Sequence, residues 1–125
     1  MNSSPVVSET FSRDDRLRKR REFEECYASG VRVSGRHVQV FLLAGPSRER
    51  PRLGISVPRR VGNAVIRNRV RRRLREIFRR SRVQLLPRGG ALVVNARPSA
   101  AAASFRELSE DLVRTVSRAT ARPSR

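Results

Sequence analysis

The sequence predicts a small α+β domain in which a few short strands form one sheet with helices packed on it, in the order αβββαβα. Three observations carry that reading. Four short segments show the period-two alternation or continuous apolar run of a strand, and three others repeat apolar residues at helical spacing. A length of 125 residues sits near the usual size of one domain with one modest core. One long helical segment lies between two strand segments, and such a unit places its strands in parallel.

The first helix spans Arg20 to Ser29, where Phe23, Cys26 and Tyr27 recur at i, i+3 and i+4 and Gly30 follows as a stop. Val31 to Ser34 is a brief strand. His37 to Leu43 alternates, with Val38, Val40 and Leu42 on one face and His37, Gln39 and Phe41 on the other. The turn-forming run from Gly45 to Pro51 and the strand from Leu53 to Val57 suggest that this second strand and the third form a hairpin. A helix from Asn63 to Arg82 follows, with Asn63 as its N-cap, closed off by Pro87 and the Gly89-Gly90 pair. Ala91 to Asn95 is an apolar run suited to a buried strand. In the last helix Phe105, Leu108, Leu112, Val113 and Val116 fall at helical spacing up to Ala119, after a capping box formed by Ser104 and Glu107. The expected organisation is a flexible extension over residues 1–15, a single folded domain over 16–120 and a flexible tail over 121–125.

Charge then narrows the function. Twenty-eight arginines and one lysine face 11 carboxylates, for a net charge of +18. Residues 1–25 are neutral, residues 26–98 carry +16 and residues 99–125 carry +2. Such an excess opposes compaction by self-repulsion and calls for a polyanion. One cysteine, Cys26, leaves no disulfide framework or thiolate zinc site, and one histidine, His37, leaves no histidine pair for a metal. Both residues read as structural. Glu22, Glu24 and Glu25, flanked by arginines, read as a self-paired helix surface rather than as a two-metal nuclease site. No apolar run approaches a membrane span and no leader pattern opens the chain, so a cytoplasmic protein is expected, without membrane or obligate protein partners.

On the long helix, Ile66, Val70, Leu74, Ile77 and Phe78 form one stripe at about 100° per residue. Asn68, Arg71, Arg72, Arg75, Arg79 and Arg82 fill the opposite sector. Like charges at i, i+4 cost a few tenths of a kcal/mol each, and Arg67/Arg71, Arg71/Arg75 and Arg75/Arg79 are such pairs, with only Glu76 to offset them. A merely solvated face would gain from more glutamates. Guanidinium forks pair bidentately with phosphate, so the face suits RNA, although genome composition also favours arginine in some chains.

The run Val57-Pro58-Arg59-Arg60-Val61-Gly62-Asn63-Ala64-Val65-Ile66-Arg67-Asn68-Arg69-Val70-Arg71-Arg72-Arg73-Leu74-Arg75-Glu76 resembles the RNR signature of the protein subunit of bacterial ribonuclease P. The Arg16-Leu17 start, the short helix with Phe23 and Tyr27, the Arg36 strand, Leu53-Gly54-Ile55-Ser56-Val57 and the strand before Arg97-Pro98 also suit that family. The resemblance covers about residues 16–119. Its departures are arginines where many relatives have lysines, and aromatic positions whose ring type varies.

The resemblance implies a ribosomal-protein-like α+β sandwich with a small mixed sheet and an unusual left-handed βαβ crossover, where the general rule is right-handed. It implies a protein cofactor of an endoribonuclease that matures tRNA 5′ ends, with a catalytic RNA subunit, Mg²⁺ acting through that RNA, and no catalytic residue in the protein. Arg59, Arg60, Arg67, Asn68, Arg69, Arg71, Arg72 and Arg75 would bind the RNA subunit. Phe23, Tyr27, Phe41, Arg60, Asn63 and Arg67 would line a cleft for the single-stranded leader of precursor tRNA, with an RNA-shared Mg²⁺ site near Asn63. On the residues alone, the three rings either pack the first helix to the sheet or offer π-faces to unpaired bases. A structural RNA-binding protein of ribosomal type is the alternative function, and a duplex DNA binder fits less well because no dimer-forming segment is visible.

Overall fold

The computed structural model describes residues 20–43, 52–85 and 90–122, apart from the side chains of residues 82–84. The expected extension 1–15, the Arg16-Leu17 start, the turn 45–51, Pro87, Gly89, residues 123–125 and the side chain of Arg82 lie outside that description. Helix α1 is Arg20–Ser29, and strands β1 (Val31–Ser34), β2 (Val38–Leu43) and β3 (Arg52–Ser56) follow. A 3₁₀ turn at Arg59–Val61 leads into α2 (Ala64–Leu85), then come β4 (Ala91–Ala96), a second 3₁₀ turn at Pro98–Ala101, and α3 (Phe105–Thr120). Every anticipated element is present, with ends shifted by up to three residues.

The sheet order is β1-β2-β4-β3, with β3 parallel to β4 and the other pairs antiparallel. The expected β2–β3 hairpin does not form, because β4 lies between those strands. The reason is burial: Leu92, Val93 and Val94 are all fully buried. A strand apolar on both sides gains most from the centre of a sheet. The hairpin is instead β1–β2, closed by Gly35, Arg36 and His37, so His37 sits in the turn rather than the strand.

One sheet face presents Val31, Val33, Val38, Val40, Leu53, Leu92, Val94 and Ala96 to the apolar stripes of α2 and α3. The α2 stripe is the anticipated one, with Val70, Leu74, Ile77 and Phe78 buried and Ile66 packed at its margin. Each fully buried side chain of this size contributes about 1.5–3 kcal/mol. Asn63 caps α2, its Oδ1 accepting the Ile66 N–H at 3.0 Å. At α3, Ser104 and Glu107 form the reciprocal capping box, and the Ser104 N–H holds the Glu107 carboxyl below the usual carboxylate range.

The opposite face carries α1, packed against β2 and β4. Cys26, Phe41 and Val93 form a second small core there, with Phe23, Leu43 and Ala91 against it. Of the two alternatives for Phe41, packing holds: although Phe41 shares a strand face with Gln39, α1 crosses the sheet and covers it. Burial raises the Cys26 thiol from 9.0 to about 11, with Glu25 and Glu22 adding to the shift. Glu24 pairs with Arg20 within the helix, as expected of a self-paired surface, whereas Glu22 pairs across to Arg52 on β3.

The β1–β2 turn is clamped from α3. Buried Asp111 accepts the N–H groups of Arg36 (3.0 Å), His37 (2.7 Å) and Val38 (3.2 Å). Gly35 is required beside it, since a Cβ there would collide with Thr115 Oγ1 and crowd the Asp111 carboxylate. The ring of His37 is buried, its Nδ1 2.8 Å from Ser99 Oγ, which also donates to the Arg36 carbonyl. No helix among the described residues is long and apolar enough to cross a membrane.

Candidate nucleic-acid interface

Where α1 ends, the second sheet face is left open. Ser34, Gln39, Asn95 and Ser56, one from each strand, supply its polar floor, and Pro58, Arg60, Arg97 and Pro98 its walls, around a cleft of about 550 Å³. Strand alternation places these four polar residues on one side, opposite the valines and leucines of the main core. Gln39 Nε2 donates to Ser34 Oγ at 3.0 Å. No carboxylate lines the cleft, so its charge is that of Arg60 and Arg97.

Tyr27 stands at the boundary between the covered and open halves. Its hydroxyl donates to Asn95 Oδ1 at 3.2 Å, and its ring meets Phe41 edge-on with centroids 4.7 Å apart. It is 41% exposed, the only aromatic described as such. Phe41, 8% exposed, lies beneath it, and Phe23 packs with the small core. The three rings anticipated as a set therefore split: one can meet a ligand, and two hold α1 to the sheet.

The outward side of α2 forms a second basic surface. Val65, Asn68, Arg71, Arg72 and Arg75 surround a shallow depression, with Arg71 donating to Asn68 Oδ1 at 3.0 Å. Glu76 ties down Arg79 (2.6 Å) and Arg80 (2.7 Å), and these bonds hold its carboxyl at about 2 against an ordinary 4.5. Neutralisation is thus concentrated in the second half of the helix. Arg69 and Arg73 do not line the depression; they donate to the Ala101 and Ala103 carbonyls at 3.1 and 3.0 Å. Arg67 donates through Nε to the Gly62 carbonyl at 3.1 Å, fixing the loop before α2, while Arg59 and Arg60 are exposed on that loop. Arg60 alone of the anticipated basic and amide cleft residues reaches the cleft wall; Asn63 and Arg67 stand at the α2 N-terminus outside it.

Sequence reasoning passed over Ser34, Gln39, Asn95, Ser56 and Arg97. The available signal was Asn95, a lone amide in the otherwise apolar run Ala-Leu-Val-Val-Asn-Ala, and the polar residues that share its strand face. Among the described residues no three His, Cys, Asp or Glu side chains gather. Asn63 Oδ1 already accepts one N–H, and the charged side chains beside it in sequence are arginines. These residues do not by themselves fit a divalent cation, which would need anionic ligands from a second molecule.

Comparison with known proteins agrees with this architecture. The family model described as Ribonuclease P matches residues 11–120. The ribonuclease P protein component of Acidothermus cellulolyticus is 43% identical over 106 residues, 84% of this chain and 88% of that one. Its counterpart in a Nocardioides species is 47% identical over 105 residues, 82% of this chain and 89% of that one. Among solved structures, the RNase P protein of Staphylococcus aureus superposes with a TM-score of 0.75 at 30% identity, covering 84% of this chain and 94% of that chain. The Thermotoga maritima protein gives a TM-score of 0.72 at 32% identity, covering 82% and 96%. With the sequence signature, the mixed sheet and the arginine helix in agreement, the chain belongs to the ribonuclease P protein family, as a protein subunit of the endoribonuclease that processes tRNA 5′ ends.

Proposed function

We propose that this chain binds the catalytic RNA through the outward face of α2 and receives the single-stranded 5′ leader of precursor tRNA in the cleft beside α1. The observation that carries the reading is Tyr27, an exposed ring held upright by Phe41 and Asn95 at the margin of a cationic, carboxylate-free cleft. A ring so fixed loses little entropy on stacking, and stacking is tolerant of base identity, as variable leaders demand. Amides and hydroxyls on the floor can bond backbone or base edges, while Arg60 and Arg97 meet phosphates. Arg71, Arg72 and Arg75, with Arg59 on the preceding loop, offer phosphate forks to the folded RNA. The protein contributes binding, and the RNA performs phosphodiester hydrolysis. Magnesium ions serving that step take their anionic ligands from RNA, with Asn63 able to add at most an amide oxygen. The chain acts in the cytoplasm, where that RNA and its substrates reside.

The test is cleavage of a precursor tRNA by a matching RNA subunit at low Mg²⁺, with and without this protein. Enhancement is expected, and its absence overturns the reading. Tyr27→Ala should weaken precursor binding about 5- to 150-fold, the equivalent of about 1–3 kcal/mol of stacking, and leave mature tRNA binding unchanged. Equal losses on both would show that Tyr27 only supports α1. Phe41→Ala is a poor probe, because truncating a buried phenylalanine costs about 3–5 kcal/mol of stability.

A further inference from the structure

The free edge of the sheet beside the cleft is unusual. Strand β1 pairs only with β2, so its outer backbone groups face away from the ladder. Three acceptors along this edge and its turn are taken by guanidinium groups from two places in the chain: at the end of α3, Arg122 donates to the Arg32 carbonyl (3.3 Å) and Arg118 to the Ser34 carbonyl (3.1 Å), and after β4 Arg97 donates to the Gly35 carbonyl in the turn (3.2 Å). The Arg32 side chain shares the cleft face with Ser34, two residues on, and stands in register with Phe41. All four arginines are exposed, and among the described residues none is ion-paired with a carboxylate. The nearby acids are engaged elsewhere: Asp111 by the turn N–H groups, Glu107 by its capping box and Glu110 by Arg106.

Solvation alone does not require this arrangement. A guanidinium held by one backbone carbonyl loses mobility yet keeps most of its five donors, and so is pre-organised for a phosphate. The Arg32 and Ser34 carbonyls, two residues apart on the strand, are roughly 6.7 Å apart, comparable to the distance between successive phosphates of an extended single strand, and the Gly35 carbonyl continues the row into the turn. The row is continuous with the cleft, since Ser34 and Arg97 belong to both.

We propose that the β1 edge is a distal track for the precursor leader, in which Arg32, Arg97, Arg118 and Arg122 hold the phosphates of nucleotides that have passed through the cleft and crossed Ser34. The proposal rests on the cleft reading and extends it: the cleft reads the proximal leader by stacking, and the edge holds the distal leader by charge. Long leaders should then bind more tightly than short ones, independently of their sequence.

The experiment measures holoenzyme affinity for precursors with leaders of about 4 and about 12 nucleotides, lengths that span the footprint of single-strand grooves. The wild type should gain affinity with the longer leader. Arg118→Gln/Arg122→Gln should abolish that gain, lose several-fold affinity for the long leader only, and flatten its salt dependence by about 1.4, two single-strand phosphates' worth. Arg118→Lys/Arg122→Lys, which keeps the charge, should recover most of the gain, and circular dichroism should show the same fold for all. A wild type that gains nothing with length overturns the proposal. Equal losses by the glutamine variant on both leaders or on mature tRNA also overturn it, assigning the row to the catalytic RNA or to the fold. If the wild type fails to prefer the short-leader precursor over mature tRNA, the cleft reading itself has failed, and that result is distinct.

Discussion

Asp111→Asn isolates the one buried carboxylate that ties α3 to the working end of the sheet. Asp111 is 5% exposed and accepts three backbone N–H groups from the β1–β2 turn. Asparagine keeps the shape but replaces one oxygen by an NH₂ group. With the remaining oxygen turned to His37 and Val38, the Arg36 N–H faces a donor and the other two bonds lose their charge assistance. Bonds to a charged group contribute about 1.5–3 kcal/mol and neutral ones about 1, so the loss should be about 2–4 kcal/mol. Domains of this size have only about 5–15 kcal/mol in total. At a urea slope of about 2 kcal/mol/M, the midpoint should fall by roughly 1–2 M with no change in slope. The measurement is urea unfolding followed by far-ultraviolet circular dichroism, at a fixed sulfate concentration because anions stabilise so basic a chain. A loss below about 0.5 kcal/mol would refute the reasoning, because the turn would then be held by the β1–β2 ladder alone. The consequence for function is that this turn sets Ser34 and the carbonyl that anchors Arg97, so a loosened clamp should also blunt leader binding.

Glu76 and Cys26 give two further tests. The Glu76 carboxyl is held at about 2 by Arg79 and Arg80 against 4.5 when free, so its stabilisation is complete above about pH 4.5 and disappears as pH falls toward 2. Glu76→Gln should lower stability at pH 7 and flatten the acid side of the stability curve; an unchanged acid limb would mean that the pair is too solvated to matter. For Cys26, a buried thiol raised to about 11 should resist alkylation at pH 8 until denaturant unfolds the chain, and modification at the rate of a free thiol would show that α1 detaches from the sheet.

Much of the fold was legible because local periodicity is imposed by burial on one side of an element. The α2 stripe, its Asn63 cap and the α3 capping box are contained within a few residues, and each formed as its spacing demands. The β2–β3 hairpin failed because proximity in sequence says nothing about a later strand inserting between two earlier ones. The role of Phe41 was open for a related reason: its face looks polar along β2, but α1, about fifteen residues earlier in the chain, folds over it.

At the site the same division holds. Composition and the arginine run determined that the partner is a polyanion, and the spacing from Arg59 to Glu76 determined the family, since charge sign and motif are properties of the string of residues itself. Which arginines face outward was decided by tertiary structure: Arg69 and Arg73 are half-buried against the Ala101 and Ala103 carbonyls, Arg79 and Arg80 are paired with Glu76, and Arg97, Arg118 and Arg122 stay exposed while converging on one strand edge. The cleft floor is likewise tertiary, because Ser34, Gln39, Ser56 and Asn95 become neighbours only when four strands pair in register. A sequence fixes what each side chain can bond, but only packing decides which of those bonds the fold has already used.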